Sequence, residues 1–215
     1  SAFNLLHLDA MYDLLRHTYT DAVLLGQRKA NERSSLCRMV DRSHLENVLV
    51  IADRGYEGFN LMAHIQEKGW RFLIRIQDAA NSRGIANGLD LPNAKEFDLS
   101  VNLSLTTKQT NAVKMLAKNR NLYKILREGR DFDYLPATNR KHDPTVFYKL
   151  PFRIVRFRIA DGVYETLVTN LDRRSFPASE LKHLYHMRWG IETSFRELKH
   201  TVGLLHFHAK KVEYI

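Results

Sequence analysis

A short apolar run between two segments of helical period constrains the fold of this chain most strongly. The run "NVLVIAD", residues 47–53, has the length and composition of a buried strand that helices cover. The segment before it, "ERSSLCRMVDR", has the period of a helix that Asn31 can cap, and the segment after it, "GFNLMAHIQEKG", has the period of a helix that Gly69 ends. A buried strand with a helix on either side of it along the chain predicts an α/β protein.

The segments around this unit extend the predicted sheet. "FNLLHLDAMYDLL" and "YTDAVLL" suit strands of one sheet before the first helix, and "WRFLIRI" suits a strand after the second. From about Asp78 turn-forming residues increase, and "FDLSVNLSL", "TVFYKLPFRIVRFRI" and "YETLVTNL" alternate as antiparallel strands do. The sequence therefore predicts a mixed sheet flanked by helices that starts in residues 1–78, a β-rich insertion in 79–165, and the end of the core in 166–215.

The charge of the chain favours nucleic acid as its partner. Its 33 Lys and Arg residues against 24 Asp and Glu give a formal net charge of +9, and such an excess favours a polyanion. Cys37 is the only cysteine, which excludes an intrachain disulfide and a CxxC metal site and is typical of a reducing compartment, so we predict a cytoplasmic protein. No segment approaches the ~20 apolar residues of a membrane-spanning helix.

The last helical segment, "ASELKHLYHMRWGIETSFRELKHTVG", carries a row of polar side chains. In one continuous helix Tyr185, Arg188, Glu192 and Lys199 fall within an arc of roughly 60°. A kink at Gly190 would move Tyr185 and Arg188 relative to Glu192. Beside this arc the same helix has an apolar stripe for the core, formed by Leu184, Met187, Ile191, Phe195, Leu198 and Val202.

Two interpretations of the polar arc are open. Arg188 and Glu192 are four residues apart and can form an ordinary ion pair on a helix surface, worth about 0.2–0.5 kcal/mol. Alternatively, Glu192 meets Asp53, which lies at the carboxyl end of the buried strand, where α/β folds tend to hold their chemistry. Two such carboxylates can hold a divalent cation, and Arg, Lys and Tyr beside them suit a phosphate group.

These residues together resemble the DDE transposases of bacterial insertion sequences, specifically the insertion sequence 4 family. That family has a signature of Tyr, two residues, Arg, three residues, Glu, six residues and Lys, which Tyr185, Arg188, Glu192 and Lys199 match at every spacing. The segment "ADRGY" around Asp53 is similar to the family's segment for its second catalytic Asp.

The resemblance implies a ribonuclease H-like core and a metal-dependent reaction on DNA, in which a strand is cleaved and transferred during transposition. Asp53 and Glu192 would be catalytic residues and ligands of two Mg²⁺ or Mn²⁺ ions. These ions would activate water or a 3′-hydroxyl for attack on a phosphodiester.

The resemblance also implies how the chain would bind DNA. Tyr185, Arg188 and Lys199 would bind phosphates near the scissile bond, the Arg as a bidentate donor and the Lys as a point charge. Arg54 and Tyr56, beside the catalytic Asp, are further candidate DNA contacts. Members of the family generally work as homodimers on paired transposon ends, so we expect a homodimer on DNA.

One part of the family pattern has no counterpart in the sequence. The first catalytic Asp belongs on the first core strand and is usually followed by Gly-Ser or Thr-Thr. A ribonuclease H-like core has three strands before its first helix, whereas this sequence offers two. We expect the missing strand and its Asp to precede Ser1, which would make the chain a fragment of a longer protein; the alternative is that Asp9 supplies the carboxylate.

Two other functions and one other kind of metal site are alternatives. A non-catalytic DNA-binding relative would keep the basic surface, and a nuclease of the same fold would hydrolyse DNA without joining it. His183 and His186 have a spacing that a zinc site can use, but without Cys partners or an HExxH motif they are more typical of histidines that face solvent or DNA.

Overall fold

The computed structural model describes residues 6–26, 31–78, 84–127, 132–136 and 142–200. In these residues the chain forms eight strands and five α-helices, with a 3₁₀ turn at Arg54–Tyr56. The strands are β1 (Leu6–Asp13), β2 (Thr18–Gly26), β3 (Leu49–Ala52), β4 (Arg71–Ile76), β5 (Phe97–Thr106), β6 (Tyr123–Ile125), β7 (Tyr148–Ala160) and β8 (Val163–Thr169). The helices are α1 (Glu32–Arg42), α2 (Phe59–Glu67), α3 (Asn111–Leu116), α4 (Ala178–His186) and α5 (Trp189–His200).

Six of the strands form one mixed sheet in the order β3-β4-β8-β7-β5-β6. The β3–β4 and β5–β6 pairs are parallel, and the β4–β8, β8–β7 and β7–β5 pairs are antiparallel. The strands that follow Asp78 are therefore continuous with the strands that precede it. The predicted α/β class with a mixed sheet flanked by helices is confirmed, and the arrangement is consistent with a ribonuclease H-like fold.

Both faces of this sheet are covered. On one face, α1 and α2 bury an apolar cluster that includes Met39, Met62 and Phe72. On the other face, α4 packs Leu181 against Leu73 and Leu167. Because neighbouring residues of a strand point to opposite faces, Phe72 and Leu73 supply the two clusters in turn.

The predicted ends of the first two helices are confirmed. Asn31 caps α1, since its side-chain oxygen accepts a hydrogen bond from the Ser34 amide at 3.2 Å. Gly69 follows α2 in a left-handed conformation with a φ of 73°, which a residue without Cβ adopts at little cost.

β1 and β2 do not lie where the sequence predicted them. They form an antiparallel hairpin that is a separate two-stranded sheet among the described residues. The prediction that these strands share one sheet with β3 and β4 is therefore wrong for the described part of the chain. Apolar alternation identified the strands correctly but carries no information about which edge a strand pairs with.

The predicted continuous helix from Ala178 is interrupted. α4 ends at His186 and α5 begins at Trp189, and the amides of Met187 and Arg188 bond to carbonyls three residues back, at 3.2 and 3.1 Å. The interruption precedes Gly190, which lies inside α5. The end predicted at Gly203 lies outside the described residues.

The side chains buried in this region differ from the predicted apolar stripe. The predicted apolar stripe, from Leu184 to Leu198, is only partly buried, and its last member, Val202, lies outside the described residues. The most buried side chains of α4 are Leu181 and Tyr185. None of the helices in the described part of the chain is long and apolar enough to cross a membrane.

Candidate active site

Asp53 lies directly after β3, where the strand ends and the chain turns into the 3₁₀ turn. Its carboxylate accepts a hydrogen bond from the Arg54 amide at 2.6 Å, so the first backbone donor of the turn orients it. The side chain keeps 38% of its surface exposed. Asp53 is thus held in a fixed direction and remains accessible from solvent.

Arg75 is the nearest cation to Asp53. Ala52 pairs with Ile74 in the parallel β3–β4 ladder, so Asp53 and Arg75 follow at the same end of neighbouring strands. Arg75 Nη2 lies 2.8 Å from Asp53 Oδ1, and Arg75 Nη1 lies 3.4 Å from Glu165 Oε1 on β8. Arg75 and Glu165 were not predicted from the sequence. A lone Arg in the apolar strand "FLIRI" was the available signal.

Tyr185 reaches the same carboxylate from the last turn of α4. Its ring is buried in the cluster of Leu181 and Leu73, and its hydroxyl donates a long hydrogen bond of 3.4 Å to Asp53 Oδ1. Burial raises the pKa of Tyr185 to about 12, and the negative charge of Asp53 adds to the rise. The hydroxyl therefore keeps its proton at neutral pH and acts as a donor.

Arg188 links the two predicted catalytic carboxylates. Its Nη1 lies 2.6 Å from Glu192 Oε1 and 4.0 Å from Asp53 Oδ2. The ordinary i,i+4 ion pair is therefore present, and the same guanidinium nitrogen also lies near Asp53. Arg188 is 9% exposed, and its buried Nε has no hydrogen-bond partner among the described residues.

The cations around Asp53 favour its ionised form. Burial raises its pKa, but the Arg54 amide and the charges of Arg75 and Arg188 outweigh burial and lower the pKa below its usual range. Asp53 is consequently an anion at neutral pH. An ionised carboxylate is also the form that a divalent cation binds.

The described residues supply part of a metal site. Asp53 and Glu192 offer hard oxygen ligands of the kind that Mg²⁺ and Mn²⁺ prefer, and Glu192 is 41% exposed. The two carboxylates therefore fit a divalent cation in chemistry and access. However, no group of three or more His, Cys, Asp or Glu side chains in the described part of the chain is placed to hold a metal.

Asp9, the alternative third carboxylate, faces other partners. It is 3% exposed on β1 and accepts a hydrogen bond of 2.9 Å from His7, while its Oδ2 has no hydrogen-bond partner among the described residues. The same His7 nitrogen lies 3.8 Å from Glu32. The described residues do not bring Asp9 into one metal-ligand group with Asp53 and Glu192.

The remaining predicted DNA contacts differ in exposure. Arg54 is exposed in the 3₁₀ turn, whereas Tyr56 is half-buried and packs against the main apolar cluster. Burial raises the pKa of Tyr56, and the charges of nearby carboxylates add to the rise. Lys199 lies near the end of α5, and its side chain is outside the described part of the structure.

A family model described as "Transposase DDE domain" matches residues 1–213 of the sequence. No curated protein matches this sequence.

Proposed function

Because the chain belongs to the family of transposase DDE domains, we propose that it catalyses metal-dependent DNA strand cleavage and strand transfer during transposition of an insertion sequence. One observation carries the proposal: Asp53 from the start of the domain and Glu192 from its end meet at one guanidinium, that of Arg188. Within this family we propose the insertion sequence 4 group, with Tyr185, Arg188, Glu192 and Lys199 as its signature.

Asp53 and Glu192 would be the catalytic carboxylates and would hold the Mg²⁺ or Mn²⁺ ions. When bound, two such ions lower the pKa of an attacking water or 3′-hydroxyl and stabilise the leaving oxygen. Arg188 contacts both carboxylates, and Arg75 contacts Asp53. The charges of the two guanidiniums therefore reduce the repulsion between the carboxylates.

The donors beside these carboxylates would position the DNA. Arg188 has a planar fork that can bind two phosphate oxygens at once, and Lys199 would add a point charge. Tyr185 keeps its hydroxyl proton, since its pKa is raised to about 12, and can donate it in a hydrogen bond to a phosphate oxygen. Arg54 and Tyr56 are proposed as outer DNA contacts on the turn after β3.

We propose that the third carboxylate lies on a strand that is inserted, in space, between the β1–β2 hairpin and β3. β1 pairs only with β2, and β3 pairs only with β4, among the described residues, so each has a free edge for such a strand. A coding sequence in which Asp-Gly-Ser or Asp-Thr-Thr follows a predicted strand upstream of residue 1 would support this proposal.

The wider organisation is also a proposal. We propose a core in residues 1–78 and 166–215 with a β-rich insertion in 79–165. We further propose a homodimer that acts on paired transposon ends in the cytoplasm of a bacterium.

The decisive experiment measures cleavage of transposon-end DNA by the full-length protein with Mg²⁺ or Mn²⁺. Asp53→Asn and Glu192→Gln keep side-chain size but remove a ligand charge, and we expect each to reduce cleavage to the level seen with chelator. Asp90→Asn and Glu197→Gln are matched controls at exposed positions, and we expect wild-type rates from both. If both site variants cleave at the wild-type rate, the assignment of the catalytic residues is wrong.

A second function is favoured by the incomplete set of ligands. Among the described residues the two carboxylates are paired with arginines, and no third acidic side chain is placed to hold a metal with them. A non-catalytic DNA-binding relative would show this arrangement too, and it would bind end DNA without cutting it under any metal condition. A nuclease of the same fold would yield cut but never joined product, so both products must be measured.

A further inference from the structure

A groove opens from the candidate active site along α4. The site residues Arg75, Tyr185 and Arg188 form its inner end. Lys182, His183 and His186 of α4 line one wall, and the β7–β8 hairpin forms the other wall with Ile159 and Glu165. The groove is therefore continuous with the place where the scissile phosphate is proposed to lie.

The α4 wall is built from one face of the helix. Leu181 and Tyr185 are buried against the sheet, whereas Lys182, His183 and His186 are exposed. On a helical wheel these three exposed side chains fall within an arc of roughly 100°, on the side away from the buried pair. The fold of α4 thus directs three nitrogen-bearing side chains into the groove.

The side chains that line the groove carry more positive than negative charge. Glu165 is the only acidic lining residue found in the described structure; it is 13% exposed and already lies beside Arg75. At the inner end Arg75 and Arg188 are balanced by the carboxylates that they contact, Asp53, Glu165 and Glu192. The unbalanced positive charge of the groove lies along α4, where Lys182 is an exposed cation. The groove therefore suits a polyanion that extends beyond a single phosphate group.

We propose that this groove seats the DNA strand that flanks the scissile phosphate, and that Lys182, His183 and His186 contact its successive phosphates. The inference rests on the proposed function for the identity of the polyanion. It adds a direction: the DNA backbone leaves the active site along α4, between this helix and the β7–β8 hairpin. The exposed Ile159 at the rim gives the deoxyribose an apolar contact.

The test measures binding in a background that cannot cut. Affinity of Glu192→Gln protein for a fluorescent end duplex is measured by anisotropy over a range of salt concentrations without divalent metal. Each lost phosphate contact lowers the slope of log affinity against log salt by about 0.9. We expect Lys182→Gln to lower the slope by about that amount, and His183→Ala with His186→Ala to weaken binding further.

The matched control is Lys149→Gln. Lys149 is also exposed, and it lies on β7 ten residues before Ile159, which places it roughly 33 Å from the groove rim at ~3.3 Å per residue. We expect this variant to keep the wild-type slope. A slope for Lys182→Gln equal to that of the control would overturn the groove assignment.

A cross-link locates the strand directly. Cys37 is the only cysteine in residues 1–215 and is buried, so Lys182→Cys adds the only accessible thiol of these residues. The DNA carries a mixed-disulfide tether next to the scissile phosphate, and we expect the thiol of Lys182→Cys to displace the tether's small leaving thiol and so form a disulfide with the DNA. We expect no such exchange for Lys149→Cys. Equal cross-linking of the two variants would refute the inference. Neither the binding assay nor the cross-link requires cleavage. The groove assignment can therefore be refuted while the catalytic residues are upheld, and the catalytic residues can be refuted while the groove assignment is upheld.

Discussion

His64 offers a sharp physical test of how the segment around Asp133 is attached to the core. The imidazole is 8% exposed, and it lies between two carboxylates: Nδ1 is 2.7 Å from Asp41 on α1, and Nε2 is 2.7 Å from Asp133. When both ring nitrogens carry protons, the imidazolium donates a hydrogen bond to each carboxylate. In this form His64 ties residues 132–136 to α1 and α2.

The groups around the ring support this charge state. Burial lowers the pKa of His64, but the hydrogen bonds to Asp41 and Asp133 outweigh burial and raise it above the usual 6.5. Tyr134 lies 3.2 Å from Nδ1, and Asn60 donates to Asp133 at 2.8 Å. Cys37, whose pKa burial raises to about 12, remains a neutral thiol beside them.

The perturbation is His64→Gln. A hydrogen bond to a charged group contributes about 1.5–3 kcal/mol, and the lower end applies because Asp41 and Asp133 are 51% and 57% exposed. Two such bonds give a loss of about 3 kcal/mol in the free energy of unfolding. For a chain of this size we expect a fall of about 6–12 °C in melting temperature, measured by circular dichroism.

The stabilisation by His64 should decrease as pH rises. A group whose pKa is raised on folding contributes its full stabilisation below its unfolded pKa, about 6.5, and loses it as pH rises through the higher folded value. The difference between wild type and His64→Gln should therefore be largest near pH 6 and shrink toward alkaline pH. His44→Gln, at an exposed position, is the control. A difference that stays constant from about pH 6 to pH 10 would refute the reasoning.

Two further predictions concern the site and the helix that carries it. Arg75→Gln should raise the pKa of Asp53, observed by NMR titration, because one of the cations that lower it is removed. A carboxylate whose pKa is lowered on folding stabilises the folded state above its unfolded pKa, and this stabilisation is lost as pH falls through the folded pKa. Because Arg75→Gln raises the folded pKa of Asp53, its acid unfolding should begin at higher pH than that of the exposed control Arg71→Gln. Leu181→Ala should cost about 2–5 kcal/mol in urea denaturation, because the side chain is fully buried between α4 and the sheet; a loss below about 1 kcal/mol would contradict that packing.

Much of the secondary structure was predictable because local chemistry determines it. The Asn31 cap and the left-handed Gly69 are set by their own backbones, and the strands by alternation. The candidate site was predictable in outline for a related reason. A carboxylate at the end of a buried strand and a polar row on a core helix can both be recognised from residue spacing. In the structure, Asp53 and Glu192 both lie near the guanidinium of Arg188.

The parts that sequence could not predict depend on pairing between distant segments. Arg75 joins the site because of the register of β3 against β4, and Glu165 joins it because β8 pairs antiparallel with β4. Neither register is encoded in a local pattern. The helix interruption at Met187 and Arg188 was also missed, because Gly190 offered a more obvious break and the residues that unwind are good helix formers.

The electrostatics of the site separate the attraction of DNA from the chemistry performed on it. Arg75 and Arg188 face three carboxylates, Asp53, Glu165 and Glu192, so the inner site has no excess of positive charge to draw in a polyanion. The excess lies outside it, in a chain with a formal net charge of +9 and in exposed cations such as Lys182. Attraction that acts from the periphery lets the centre keep the acidic groups that a divalent cation needs. Variants of the groove should therefore change affinity and its salt dependence, whereas variants of Asp53 and Glu192 should change the rate of cleavage with little loss of binding.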